Sequence, residues 1–236
     1  MGLADLHMHT IFSYDGTATV PAVLNRAKQV GLDVIAITDH DEIRGALLAE
    51  QLALQFGFQV IPGVEITTKD GDLLALGIRE LVPADLSLIE TLLQVEQLGG
   101  FCIVPHLMAG GMGMKSLNFF SVLKAMRHSA AGRILAGIET HNATVLDRSS
   151  RLYAEELAFH TGLARTGNSD AHVLGAIGLG ATEFLGKTIE DLMRALREGS
   201  TVVRRNASWS SARIVTGWAW NYLLSTPTRV LPSFTK

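Results

Sequence analysis

Six of the eight histidines in this 236-residue chain fall at or just beyond the ends of apolar, β-branched runs, in the company of carboxylates. Imidazole nitrogens and carboxylate oxygens together form a donor set for divalent transition metals. His7-Met-His9 comes first: alternate residues of an extended segment point the same way, so both imidazoles can reach one ion. Taken alone, such a pair is more often a surface or hydrogen-bonded pair. Thr38-Asp-His-Asp41, with His40 at its centre, sets three ionisable side chains directly after a buried run, a costly arrangement unless the groups are paired or bind a cation. Glu65 follows Ile61-Pro-Gly-Val64 in the same manner, as a bridging carboxylate or as the cap of a turn. Pro105-His106, Glu139-Thr-His141-Asn142 and Ser169-Asp170-Ala-His172 repeat the placement, and Asp15, in Phe12-Ser-Tyr-Asp-Gly16, is the one candidate away from a strand end. Singly, each is read as a satisfied core or surface residue; their recurrence at successive strand ends carries the metal reading.

The remaining histidines act as an internal control. His128 and His160 lie near the ends of predicted helices, where a partly charged imidazole suits the helix dipole, and they receive no role. Cys102 sits inside a predicted strand as a small core residue. Gly110-Gly-Met-Gly113 lacks the lysine of a phosphate-cradling loop and is read as a loop bordering the site.

The elements that must hold these residues alternate. Strands are expected at Leu3–Leu6, Asp33–Thr38, Phe58–Val64, Phe101–Val104, Ile134–Glu139, Leu163–Thr166 and Thr201–Val203. Helical spacing marks about 20–30, 42–56, 86–98, 116–128, 149–161 and 188–198; Pro21 suits the first turn of the first of these, and Thr188-Ile-Glu-Asp191 caps the last. Thr67 to Ile78, with Lys69-Asp-Gly-Asp72 as turn chemistry, predicts a hairpin inserted after the third strand. The alternation predicts a parallel sheet, doubly wound or closed into a barrel, and periodicity does not choose between them.

With 47% hydrophobic residues the chain can bury a substantial core in one domain. Its start lacks a signal peptide's pattern and it has one cysteine, which together predict a cytoplasmic protein. No apolar stretch reaches the roughly 18 residues of a transmembrane span. The net charge of −3, with basic residues dispersed, argues against an extended nucleic-acid surface and leaves a small anionic substrate open.

Asp5-Leu-His7-Met-His9, Thr38-Asp-His40-Asp41, Gly63-Val-Glu65, Pro105-His106 and Ser169-Asp170-Ala-His172, in this order and spacing, resemble the PHP (polymerase and histidinol phosphatase) family over roughly residues 3–205. The resemblance implies an α/β fold, a distorted (β/α)7 barrel with metals at the C-terminal ends of its strands, and it implies two to three divalent ions: zinc, manganese or iron. Carried over by position, His7, His9, Glu65 and Asp170 hold one ion, Glu65 bridges to a second held with His106 and His141, and Asp15, His40 and His172 hold a third. Glu65, Asp170 and His40 are read as catalytic.

The implied chemistry is hydrolysis of phosphate esters, in which paired ions lower the pKa of bound water toward about 7 and neutralise the phosphoryl group. A phosphomonoesterase acting on a small soluble phosphate or nucleotide leads; a phosphodiesterase or exonuclease follows closely. An amidohydrolase, whose bridging lysine is not evident, and a non-catalytic metal module of the kind attached to polymerases are the rivals. Asp39 or Asp41 is expected to orient ligand imidazoles, and Arg44, Lys115, Arg148 and Arg151 are candidate phosphate contacts. The barrel is expected to span 1–205. Residues 206–236 are expected to add a helix and tail packed on it, with Trp209, Ile214, Trp218, Trp220, Tyr222 and Leu223 closing the barrel or forming an oligomer contact.

Overall fold

The structure is a computed structural model and describes residues 1–110, 114–145, 148–206 and 211–225. Trp209, the Gly111–Gly113 part of the glycine-rich loop and the tail from 226 lie outside them. In chain order the elements are β1 (Gly2–Asp5), α1 (Val20–Gln29), β2 (Val34–Ile37), α2 (Arg44–Phe56), β3 (Gln59–Thr67), β4 (Asp72–Leu76), α3 (Leu88–Gln97), β5 (Phe101–Val104), α4 (Phe119–Arg127), β6 (Leu135–Asn142), α5 (Arg148–Thr161), β7 (Ala164–Asn168), β8 (Gly180–Phe184), α6 (Ile189–Glu198), β9 (Val202–Arg205) and α7 (Ser211–Ser225). The strands form one sheet in the order β7-β6-β5-β4-β3-β2-β1-β8-β9.

The sheet curls into a nearly closed barrel because its strands have two apolar faces. In β2, Val34 and Ala36 join an inner cluster with Ala4, Leu6, Leu74 and Phe184, while Ile35 and Ile37 pack outward against the helices. Helix α6 adds Leu192, Ala195 and Leu196 to the inner cluster, and its first amide donates to Gln59 at the start of β3. It therefore plugs the end of the barrel from which β3 begins. At the other end the extensions of β1 and β7 meet: Asp170 N donates to His7 O and His9 N to Ala171 O, both at 2.9 Å. Asn168 Oδ1 accepts from Leu6 N at 2.9 Å, and buried Asp5 accepts from Ser169 N and Gly178 N at 3.0 Å each.

The barrel is not a regular sevenfold β/α repeat. The expected hairpin exists, but its second arm is a wall strand: β4 is wholly buried and pairs antiparallel with both β3 and β5. Strand β8, which has no counterpart among the sequence expectations, runs antiparallel between β1 and β9. Gly180-Ala-Thr-Glu-Phe184 carries one large apolar residue, too little for a strand signal, yet Phe184 is fully buried. Thr182 Oγ1 exchanges two 3.0 Å hydrogen bonds with the Gly167 backbone and ties β8 to β7.

Phe184→Ala is expected to lower unfolding stability by about 3–5 kcal/mol, the usual cost of truncating a buried phenylalanine. Urea unfolding measures it, and a loss below about 1 kcal/mol would mean that the inner cluster is not packed as described.

Candidate metal centre

The seam between β1 and β7 delivers the candidate ligands to one place. His7 and His9 follow β1, His40 follows β2, Glu65 lies in β3, His106 follows β5, and Asp170 and His172 follow β7. Two of them have left-handed backbones unusual for such residues, His106 with φ 26° and Asp170 with φ 51°. Strain of this kind persists only where surroundings hold it. Here His106 N donates to Glu139 Oε2 at 3.0 Å, and Asp170 N to His7 O.

Glu65 is the hub. Its Oε1 lies 2.9 Å from His106 Nε2, and its Oε2 lies 3.0 Å from His7 Nε2, 3.3 Å from His9 Nε2 and 3.5 Å from His40 Nδ1. Asp170 Oδ1 lies 3.4 Å from His7 Nε2 and 3.2 Å from His9 Nε2. Asp15 Oδ2 completes the cluster at 3.0 Å from His172 Nε2 and 3.3 Å from His40 Nε2. Three groups thus have ligand atoms within 4.8 Å of one another: His7, Glu65 and His106; His7, His9 and Asp170; and His9, Asp15, His40 and His172.

Burial by itself lowers an imidazole pKa, but the carboxylates outweigh it here. His7 is held well above its ordinary value by Asp170, Glu65 and Glu139, and His172 is raised to about 9, chiefly by Asp15. Burial raises Glu65 and Asp170, and the imidazoles, His7 foremost, more than reverse it and hold both well below the usual carboxylate range. His9 is the exception in hydrogen bonding: both ring nitrogens are buried and neither has a hydrogen-bond partner among the described residues. Nε2 faces Asp170 and Glu65 at 3.2 and 3.3 Å without hydrogen-bond geometry, an arrangement that a cation shared among the three would satisfy. Donor types, spacing and this orphaned ring all fit divalent metal ions.

Eight of the nine sequence-predicted ligands meet in the cluster; His141 does not. Glu139 pairs with Thr166 and His141 with Gly167, so one extra residue of β6 sits against β7. That bulge breaks the alternation that would have put Glu139 and His141 on one face. His141 lies outside the three ligand groups, and its pKa is lowered by burial and by Arg205 and Arg151. Asn142 takes the inward place, its amide donating to Glu139 and Asp170. His7 instead joins Glu65 and His106.

The orienting residues also differ from expectation. Asp39 accepts from Thr10 N and Oγ1, and Asp41 accepts from Thr67 N, so they brace the Thr10 loop and the end of β3, and neither bonds a ligand imidazole. Glu139 does that work: Oε1 lies 2.9 Å from His7 Nδ1 and takes the Asn168 amide, while Oε2 takes His106 N and the Asn142 amide. Ser116 Oγ meets His106 Nδ1 at 3.1 Å.

Asp15, His40, Glu65, His106, Asp170 and His172 form the floor of a cavity of about 490 Å³. None of Arg44, Lys115, Arg148 and Arg151 lines it; Arg44 is paired with Glu42. Asp72 does line it, with a buried Oδ1 that has no hydrogen-bond partner among the described residues, and its carboxyl is raised to about 6 by burial and then by Glu65. Helix α7 reaches the rim, where Trp218 Nε1 donates to Asp15 O at 3.0 Å.

A barrel with a carboxylate-centred imidazole cluster at its strand ends has the donor set of a metal-dependent hydrolase. The chain belongs to the PHP family: the PHP domain matches residues 5–155, and the PHP-associated region matches 149–201. An uncharacterized protein of Methanocaldococcus jannaschii is 33% identical over 150 residues, 59% of this chain and 81% of the relative. A phosphoribosyl 1,2-cyclic phosphate 1,2-diphosphodiesterase of Eggerthella lenta is 36% identical over 88 residues, 35% of this chain and 33% of that protein. A crystal structure from Bifidobacterium adolescentis, 21% identical, superposes with a TM-score of 0.63 over 83% of this chain and 96% of its own, which establishes the shared fold.

Glu139→Gln is expected to weaken metal binding by about ten- to a hundredfold, as loss of a partner to a ligand imidazole does, whereas His141→Ala leaves it within about twofold. Calorimetric titration with Mn²⁺ reads both, and equal losses in the two variants would contradict the positions given to β6.

Proposed function

We propose that this protein is a phosphomonoesterase for small soluble phosphate esters or nucleotides, loaded with two or three zinc, manganese or iron ions. The observation that carries the reading is the convergence of His7, His9, His40, His106 and His172 on Glu65, Asp170 and Asp15 at the floor of one cavity. Glu65 would bridge two of the ions, with His7 and His106 beside it; Asp170 with His7 and His9, and Asp15 with His9, His40 and His172, would complete the sites. Bound divalent ions supply a nucleophile at neutral pH and neutralise phosphoryl charge.

The chain's own residues do the rest. Glu139, Ser116 and the Asp170 carbonyl fix the ring orientations of His7, His106 and His172 through their Nδ1 atoms. Asp72, with a carboxyl near pKa 6, is suited to hold a proton on Oδ1 and release it to the departing ester oxygen. A monoester is favoured over a long diester because α7 stands at the rim and no arginine or lysine appears among the described lining residues to track a polyanion. The diesterase reading keeps support from the Eggerthella lenta relative. An amidohydrolase is disfavoured because Glu65, not a lysine, stands at the hub. A cytoplasmic location agrees with the single, buried cysteine, and among the described residues no helix is long and apolar enough to cross a membrane.

Elemental analysis should find two to three transition-metal equivalents, with 4-nitrophenyl phosphate hydrolysis abolished by chelation and restored by Mn²⁺ or Zn²⁺; bound metal without turnover on any ester would overturn the reading. Asp72→Asn is expected to slow esters of alkyl alcohols at least tenfold while sparing 4-nitrophenyl phosphate, whose leaving group departs without a proton. Equal losses on both would remove Asp72 as the proton donor.

A further inference from the structure

The cavity has two unlike parts. Its floor is the charged cluster, whereas Tyr14, Met114, Val173, Ala176, Trp218 and Tyr222 make an apolar and aromatic wall above it. The Trp218 and Tyr222 rings lie 5.0 Å apart at 42°, and Tyr14 stacks on the His40 ring at 4.8 Å and 20°. No lysine or arginine is among the described lining residues, and the charged residue of the wall, Asp72, is acidic. A cavity of this volume accommodates a small ligand, with room beyond the phosphate for a ring but with no basic side chain among the described lining residues to neutralise a second negative charge.

Two of the three aromatics come from α7, which lies beyond both family matches: these end at residues 155 and 201, and α7 runs from Ser211 to Ser225. The helix is also fastened to the centre itself. Trp218 is partly buried against the core, and its indole N–H reaches the carbonyl of Asp15, whose carboxylate belongs to the cluster. A helix that only covered the barrel would need no aromatic pair facing the cavity.

We propose that α7 is a substrate-selecting element of this chain: Trp218 and Tyr222, with Tyr14, hold the flat, uncharged ring of a phosphate ester whose phosphate lies on the cluster. This rests on the phosphoesterase reading and narrows it to esters of ring-bearing alcohols. Offset or edge-on packing of a ligand ring against such side chains strengthens binding by about tenfold, and it acts on any planar ring. The arrangement disfavours sugar phosphates without a ring of this kind and substrates with a second phosphate.

The test separates binding from turnover. Phenylphosphonate and methylphosphonate, neither with an ester to cleave, are titrated calorimetrically into the Mn²⁺-loaded full-length protein. The wild type is expected to bind the phenyl compound about tenfold more tightly. Tyr222→Leu and Tyr14→Leu, which keep apolar bulk and remove the ring, should bring the ratio toward one. Trp218→Phe, which keeps a ring and loses the bond to Asp15, should retain most of it. A wild-type ratio near one, a ratio unchanged in both leucine variants, or no binding of either compound would overturn the proposal. Hydrolysis of methyl and phenyl phosphates with equal kcat/KM would also overturn it while leaving the phosphoesterase reading intact. A ring preference in binding with no ester hydrolysed would do the reverse. The kcat/KM ratio of adenosine 5′-phosphate to ribose 5-phosphate tells whether a nucleobase, and not only an aryl group, is the ring accepted.

Discussion

The buried carboxylate of Glu65 is the constraint on which the rest depends. A lone carboxylate in so apolar a setting would take up a proton; surrounded by His7, His9, His40 and His106 it is held well below the usual carboxylate range, and it raises the imidazoles in turn. This mutual dependence explains why ligand-bearing segments from four strand ends must arrive together. It also explains the further layer around them. His7 Nδ1 meets Glu139, His106 Nδ1 meets Ser116, His172 Nδ1 meets the Asp170 carbonyl, and Asn142 donates to Asp170, whereas His9 Nδ1 has no partner among the described residues.

Much of this was legible in the chain, and the reasons are local. Ligand types at strand ends can be read because a strand of β-branched residues announces itself and its last residue marks the site's level. His7, His9, His40, Glu65, His106, Asp170 and His172 were placed that way, and Asp15 through the family resemblance. The fold class followed the same route: alternation implied a parallel sheet, and the resemblance implied that it closes.

What was not legible depends on contacts distant in sequence or on backbone irregularity. The bulge in β6 exchanges His141 for Asn142, and no residue type in Glu139-Thr-His-Asn142 signals it. Strand β8 exists because Thr182 bonds Gly167 and Phe184 fills the barrel's interior, not because its own residues form an apolar run. Asp39 and Asp41 sit beside a ligand in sequence yet brace the loop at Thr10 and the end of β3 at Thr67, since adjacency along a chain says little about which way a carboxylate turns after the strand ends.

The seam that completes the barrel joins partners 162 residues apart in the bond from Leu6 to Asn168. Contacts of such long range form late and slowly in folding. His7 and His9 leave the ribosome well before Asp170 and His172 do. A nascent chain that has passed His106 therefore carries six of the eight clustered ligands, and the group of His7, His9 and Asp170 is completed only when β7 reaches β1. The groups that use Asp170 or His172 thereby depend on the seam having formed, whereas the group of His7, Glu65 and His106 draws nothing from β7.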